Sequence, residues 1–137
     1  MAKIILLKGL PGSGKSTWAR QYVNENQGKV KRINKDDLRG MLDNNYWESN
    51  NEKFIIHIRN VIIIEALKLG KDVIVDDTNL HPKHEKYLAK LANQHHATLE
   101  IKTFFDISIE ECIARDAKRP LPVGEKSIRE MYQRYLV

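Results

Sequence analysis

Gly9-Leu-Pro-Gly-Ser-Gly-Lys-Ser16 decides how the rest of the chain is read. It fits G-x-x-x-x-G-K-[ST], the pattern of a phosphate-binding loop, and it stands in the context that pattern needs. Lys3-Ile-Ile-Leu-Leu7 before it is a short apolar run that reads as a buried strand. Thr17-Trp-Ala-Arg-Gln-Tyr-Val23 after it reads as a helix. Glycines let the backbone curl until successive N–H groups converge on phosphate oxygens, here around Gly12, Ser13 and Gly14. The helix adds the positive end of its dipole at Ser16 and Thr17. Lys15 can reach the outer phosphates of a nucleoside triphosphate, and the Ser16 hydroxyl can hold Mg²⁺. The plain alternative is a glycine-rich turn that binds nothing. The complete pattern between a strand and a helix argues against it.

Working outward, the order reads strand, helix, strand, helix, helix, strand, helix, strand, helix, helix. A short strand over 29–34 has Val30 and Ile33 as anchors, and a helix follows over 36–42. The stretch 44–51 is polar and aromatic, with Tyr46 and Trp47, and reads as a loop. The longest helix is expected over 52–69, with Phe54, Ile55, Ile58, Val61, Ile62, Ala66 and Leu67 inward. Asp72–Val75 is a strand, Pro82 opens a helix to about His95 with Tyr87, Leu88 and Leu91 inward, and 98–105 is a strand. Ser108, with Glu111 three residues on, caps a further helix, and Glu125–Tyr135 is the last. Strands alternating with helices imply an α/β fold: a parallel sheet of about four strands flanked by helices on both faces.

Composition narrows the class. The 137 residues suit a single domain, 42% of them hydrophobic and 30% charged, as in a globular protein. No apolar run approaches the ~18 residues of a membrane span, so no membrane partner is expected. A lone Cys112 forms no intrachain disulfide and reads as a packed residue in a reducing cytoplasm. No secretory cleavage site follows Leu7. The net charge of +5 favours a polyanionic partner such as nucleic acid, or else is only a basic surface. Five histidines have no cysteine or acidic cluster nearby to complete a zinc site. No obligate protein partner is evident.

In a parallel sheet, ligands bind beyond the carboxyl ends of the strands. The polar residues fall there: Asn34-Lys-Asp-Asp-Leu-Arg39 after the second strand, Asp76-Asp-Thr-Asn79 after the third, and Arg115, Lys118 and Arg119 beyond the fourth. Phosphoryl transfer to a hydroxyl needs a carboxylate to take the proton. Asp36 and Asp37 are the candidates; one of them can instead cap the helix, and spacing does not choose. Arg39 can clamp an acceptor phosphate bidentately, or lie on the surface. Asp76 or Asp77 can assist Mg²⁺, with Thr78 and Asn79 adding polar groups, unless these residues only make a turn. Arg115 and Arg119, four apart, share a helical face and can neutralise transferring charge from a lid hinged at Pro120–Gly124.

Together, Gly9-x-Pro-Gly-Ser-Gly-Lys-Ser-Thr-Trp-Ala-Arg20, Ile33-Asn-Lys-Asp-Asp-Leu-Arg39, Asp77-Thr-Asn-Leu-x-Pro82, Arg115-x-x-Lys-Arg119 and Ile128-Arg-x-Met-Tyr132 resemble the kinase domain of the bacteriophage T4-type polynucleotide 5′-kinases over nearly the whole chain. The resemblance implies one kinase domain over 1–137 with a lid near 115–124. It implies Asp36 as general base, Lys15 and Ser16 at the ATP phosphates and Mg²⁺, and Arg39 at the acceptor phosphate. Asp77 would organise the metal and Arg39, and Arg119 would be the lid arginine, with Arg115 beside it. The expected reaction is transfer of the ATP γ-phosphate to a nucleic-acid hydroxyl, with DNA the expected substrate and the 5′ end the expected site. A phage-encoded enzyme would act in the host cytoplasm. The pattern departs over 40–52, which should shape the acceptor pocket, and no counterpart of the T4-type phosphatase domain follows. A related expectation is therefore a phage kinase of 5-hydroxymethyluracil within DNA, which must flip the base out, with Tyr46 or Trp47 free to stack or only to pack the loop. A small-metabolite kinase has less use for a basic surface, and a silent binding module would not need Lys15 and the strand-end acids together.

Overall fold

The computed structural model describes residues 1–137. β1 (Lys3–Lys8) is followed by α1 (Lys15–Glu25), β2 (Val30–Ile33), α2 (Lys35–Asp43) and α3 (Ser49–Lys68). Then come β3 (Asp72–Val75), α4 (Pro82–Gln94), β4 (Thr98–Thr103), α5 (Ile109–Ala117) and α6 (Glu125–Tyr135). The four strands are parallel in the order β2-β3-β1-β4. This is the architecture expected from the alternation of strand and helix signals.

β1 is central because both its faces are apolar. Ile4 and Leu6 point to a core shared with Ile55 and Ile63 of α3 and Leu88 and Leu91 of α4. Ile5 and Leu7 point the other way, to Ala19, Trp18 and Tyr22 of α1. Each of these four β1 side chains is essentially inaccessible, and such burial contributes about 1.5–3 kcal/mol apiece. A third cluster, Leu10, Leu80, Cys112 and Ile128, docks α5 and α6 against the end of β1. Cys112 is packed there, as its place in an apolar helical pattern predicts.

Caps set the helix starts. Asn34 accepts a hydrogen bond from the Asp37 N–H at 2.8 Å and caps α2, so neither Asp36 nor Asp37 performs that task. Ser108 caps α5 by accepting from the Glu111 N–H at 3.1 Å. The Glu111 carboxylate, however, bonds Arg115 rather than reaching back to complete a capping box.

Three details differ from the sequence expectation. α3 begins at Ser49, capped by the Glu48 carboxylate, so only 44–48 remains a loop. Its buried stripe is Ile55, Arg59, Ile63, Ala66 and Leu67, while Phe54 and Val61 are exposed. Positions 55, 59 and 63 repeat every four residues and hold the sheet-facing line; 54 and 61, seven apart, fall on a different line. Tyr87 is also exposed, with its hydroxyl accepting from Asn60 at 3.1 Å. β4 stops at Thr103 and is largely exposed because it is an edge strand. No helix is long and apolar enough to cross a membrane.

Candidate active site

β1 and β3 are neighbours in register, Leu6 beside Val75, so the loops that leave them emerge side by side. The Gly9 N–H donates to the Thr78 carbonyl at 3.1 Å and joins the two loops. A cleft of about 1060 Å³ opens over this junction and runs from α5 to α2.

The phosphate loop turns through Gly12 and Gly14 at φ 80° and 99°. At Gly12 a second constraint applies: a Cβ would stand 2.3 Å from the Cys112 carbonyl oxygen, so the loop must be bare to pass under α5. Lys15 is buried, and its ammonium donates to the carbonyls of Gly9 at 3.0 Å and Leu10 at 2.8 Å, with Ser13 Oγ at 3.4 Å. Burial lowers its pKa to about 8. Ser13 is 2% exposed and braces the loop from within. Thr17 opens onto the cleft from the first turn of α1, which carries no acidic residue.

Ser16 Oγ donates to Asp76 Oδ2 at 2.8 Å. The carboxylate joined to the Ser16 hydroxyl is therefore that of Asp76, where the resemblance pointed to Asp77. Asp77 instead accepts from the Lys35 N–H at 3.0 Å, and burial raises its pKa. Asp77 holds the entrance of α2, and it makes no bond to Arg39. The fit to a nucleotide with a divalent cation is good on the molecule's own terms. A loop turned by Gly12 and Gly14 meets a helix end free of acids. The Ser16 and Asp76 oxygens are hard donors, and Asp76 Oδ1 is buried without a partner.

Asp36 stands on the first turn of α2 at the cleft wall, its side chain 57% exposed, paired with Arg39 Nη1. Arg39 also forks onto Glu52 of α3, Nε at 2.8 Å and Nη2 at 2.9 Å. Its fork is thus committed within the protein, and the two carboxylates raise its pKa further above the ordinary arginine value. Thr78 lines the cleft. Asn79 does not: it is 2% exposed, sits at φ 49°, and its amide donates to the carbonyls of Leu7, Val75 and Asp77. It is a brace between β1 and β3, and its expected place among the substrate contacts is corrected accordingly.

Arg115 and Arg119 both line the α5 end of the cleft, but they do not share a helical face, because α5 ends at Ala117. Arg115 Nη1 lies 3.8 Å from where a Cβ on Gly14 would be. Arg119 sits in the following turn and pairs with Asp116 at 3.3 Å. Asp116 is 1% exposed and also accepts from the N–H groups of Val123 at 3.0 Å and Gly124 at 2.9 Å, so it ties down the whole 119–124 loop. Tyr46 and Trp47 are exposed, outside the cleft lining.

Four participants escape the sequence reading: Arg32, Glu52, Asp116 and Arg59. Arg32 is one residue from the carboxyl end of β2, which was its only signal. It bonds Asp76 and Asp37, both at 2.7 Å. Glu52 and Asp116 look like ordinary helix acids until the partners arrive from other segments. Arg59, 3% exposed on α3, interrupts an aliphatic stripe and faces Asp77 electrostatically.

Comparison with known proteins agrees with this geometry. A family model described as an AAA domain matches residues 4–136. A bifunctional polynucleotide kinase/RNA ligase, so named, of Autographa californica nuclear polyhedrosis virus is 27% identical over 98% of this chain and 21% of its own length. The L-seryl-tRNA(Sec) kinase of Methanococcus maripaludis is 29% identical over 96% of this chain and 52% of its own. The chain therefore spans a fifth to about half of these relatives. Among solved structures, one from the Pnkp1/Rnl/Hen1 RNA repair complex superposes with TM-score 0.82 at 28% identity, over 96% of this chain and 43% of that one. A Mycobacterium tuberculosis APS kinase, at 20% identity and TM-score 0.67, shares the fold. Both curated relatives are kinases by name, the class of enzyme expected from the sequence. The chain belongs to the AAA domain family matched over residues 4–136 and is a P-loop kinase-like domain within it.

Proposed function

We propose that this family member transfers the γ-phosphate of ATP to a hydroxyl of a polynucleotide, at its 5′ end. The observation that carries the proposal is the position of Asp36. It faces the same cleft as Lys15 and Ser16 and is relieved of helix capping by Asn34. The similarity to polynucleotide kinase proteins supports the acceptor class.

When bound, ATP with Mg²⁺ supplies the transferable phosphoryl group and neutralises part of its charge. The chain's own residues do the rest. The loop amides and α1 hold the phosphates, and the Lys15 ammonium turns from the Gly9 and Leu10 carbonyls to the outer phosphate oxygens. Ser16 and Asp76 would hold the cation. Asp36 accepts the proton of the acceptor hydroxyl as its oxygen bonds to phosphorus and the bond to the ADP oxygen breaks. Arg115 and Arg119, which line the α5 end of the cleft, would neutralise the negative charge that develops on the transferred group. Residues 115–124 act as the lid of a single domain spanning 1–137, with Asp116 setting the position of its loop. Arg39, anchored by Glu52, positions Asp36.

The test supplies labelled ATP with three oligonucleotides. One has a free 5′-hydroxyl, one is blocked at the 5′ end, and one is blocked but carries internal 5-hydroxymethyluracil. Labelling of the first alone is the expected result. Labelling of the third would move the acceptor to a base hydroxymethyl group. If none is labelled, while the protein still hydrolyses or binds ATP, the polynucleotide assignment fails.

A further inference from the structure

Arg32 is the one cation in the cleft that touches the Ser16–Asp76 pair. Its Nε donates to Asp76 Oδ2 at 2.7 Å, the same oxygen that receives the Ser16 hydroxyl at 2.8 Å. Its Nη2 stands 3.4 Å from Ser16 Oγ itself. That hydroxyl's proton already goes to Asp76, so Nη2 approaches the lone-pair side, the side a metal ion would use. Its Nη1 is held at 2.7 Å by Asp37, whose side chain is 57% exposed. Asp76, by contrast, is 1% exposed, and a buried carboxylate stripped of its cation is strongly disfavoured.

We propose that Arg32 is a resident stand-in at the divalent-cation position. Its guanidinium neutralises Asp76 in the nucleotide-free protein and yields Ser16 and Asp76 to the metal when a nucleotide–metal complex enters. The inference rests on the ATP and Mg²⁺ reading of the cleft. A guanidinium and a divalent cation cannot both occupy the open side of one hydroxyl oxygen, so their occupancy is mutually exclusive. Asp37 gives Arg32 a second, solvent-facing partner on which to remain while displaced. Asp76 Oδ1, buried and unpartnered, leaves the carboxylate able to take a stronger cation than the one it has.

A merely structural arginine and a competing one differ in sign. If Arg32 only braces the site, its removal loosens Asp76 and weakens metal binding. If it competes, its removal lowers the stability of the empty protein and tightens metal binding. The experiment uses the whole chain, Mn²⁺ as the probe and ADP as the nucleotide, with free Mn²⁺ read by its electron paramagnetic resonance signal and Tm measured without ligands. Arg32→Gln is expected to lower the ligand-free Tm by several degrees and to tighten Mn²⁺ binding in the presence of ADP about tenfold or more. Unchanged or weakened Mn²⁺ binding overturns the proposal. Arg20→Gln is the control, since Arg20 lines the same cleft and bonds neither Asp76 nor Ser16. Equal tightening there would reduce the effect to general charge, and also overturn it. Arg32→Lys keeps a charge but cannot span Asp76 and Asp37 together; if the glutamine variant does not fold, Arg32→Lys must show the same sign with smaller size. Wild-type protein that binds no Mn²⁺ with ADP would instead sink the nucleotide reading, a result distinct from a wild type that binds and a variant that does not change.

Discussion

The two walls of the cleft are built on different physics. The nucleotide wall is made of backbone. Gly12 and Gly14 carry positive φ, Lys15 and Ser13 are buried, and the loop is pinned between the end of β1 and the Cys112 carbonyl of α5. The wall proposed to hold the acceptor is made of side chains near the starts of α2 and α3. Asp36, Arg39 and Glu52 hold one another, and beyond them Met41, Tyr46, Trp47 and Phe54 lie open. A wall of backbone tolerates almost no change in the residues that shape it. A wall of mutually paired side chains can be rebuilt for a new substrate without disturbing the core. The relatives differ in the acceptor their names carry, from polynucleotide to seryl-tRNA.

The sharpest way to separate the walls is to remove the proposed base and leave the loop. Asp36→Asn keeps the size of the side chain and its exposure. We expect the rate of transfer to fall by about 10²–10⁴-fold, the usual worth of a positioned general base. ATP affinity, measured by titration calorimetry, should stay within twofold of wild type, roughly the precision expected for a group that makes no phosphate contact. A parallel loss of ATP affinity would show that the two walls are not independent, and unchanged transfer would remove Asp36 from the role of base.

Legibility in the sequence follows the same division. The order of ten elements, the parallel sheet and the placement of polar residues at the strand ends were all readable, because each rests on local pattern. So was the loop, since φ and close approach restrict Gly12 to a single residue type. The residues that were not readable are those whose partners are distant in sequence. Glu52 reaches Arg39 across 13 positions, and Arg32 reaches Asp76 across 44. Nothing local distinguishes them from surface charges. Asn79 misled in the opposite direction: a polar residue after a strand looks like a ligand contact, yet its buried amide nitrogen donates to three backbone carbonyls. Asp76 and Asp77 share a strand end, and only the alternation of sides sends one to Ser16 and the other to Lys35.

A smaller effect tests how the acceptor wall holds itself. Glu52 and Arg39 are both shielded, with side chains 18% and 17% exposed, and the bond between them is bidentate. Glu52→Gln removes the charge and half of the fork. The expected outcome is a loss of about tenfold or more in kcat/KM for the oligonucleotide, since a hydrogen bond to a charged group contributes about 1.5–3 kcal/mol. The KM for ATP should not move. The same loss in the ATP term would mean that α3 supports both walls.

The smallest effect comes from pH, and it singles out the nucleotide wall. Lys15 has a pKa lowered from 10.5 to about 8, chiefly by burial, with Asp76 and Asp77 pulling weakly the other way. Phosphate oxygens would favour its charged form, so above pH 8 nucleotide binding must take up a proton. Affinity for ATP should then fall about fourfold between pH 7 and pH 8.5. Stability of the free protein should move oppositely. Between about 8 and 10.5 the unfolded chain holds a proton on Lys15 that the folded one has released, and the contribution of this group to stability therefore rises with pH. Titration calorimetry and thermal unfolding over the same range measure both slopes. Lys15→Met should flatten both, whereas Asp36→Asn should leave them in place, because the lowered pKa belongs to a lysine enclosed by its own loop and owes nothing to the acceptor side. A pH slope that vanishes with Asp36 would join the two walls into one electrostatic unit.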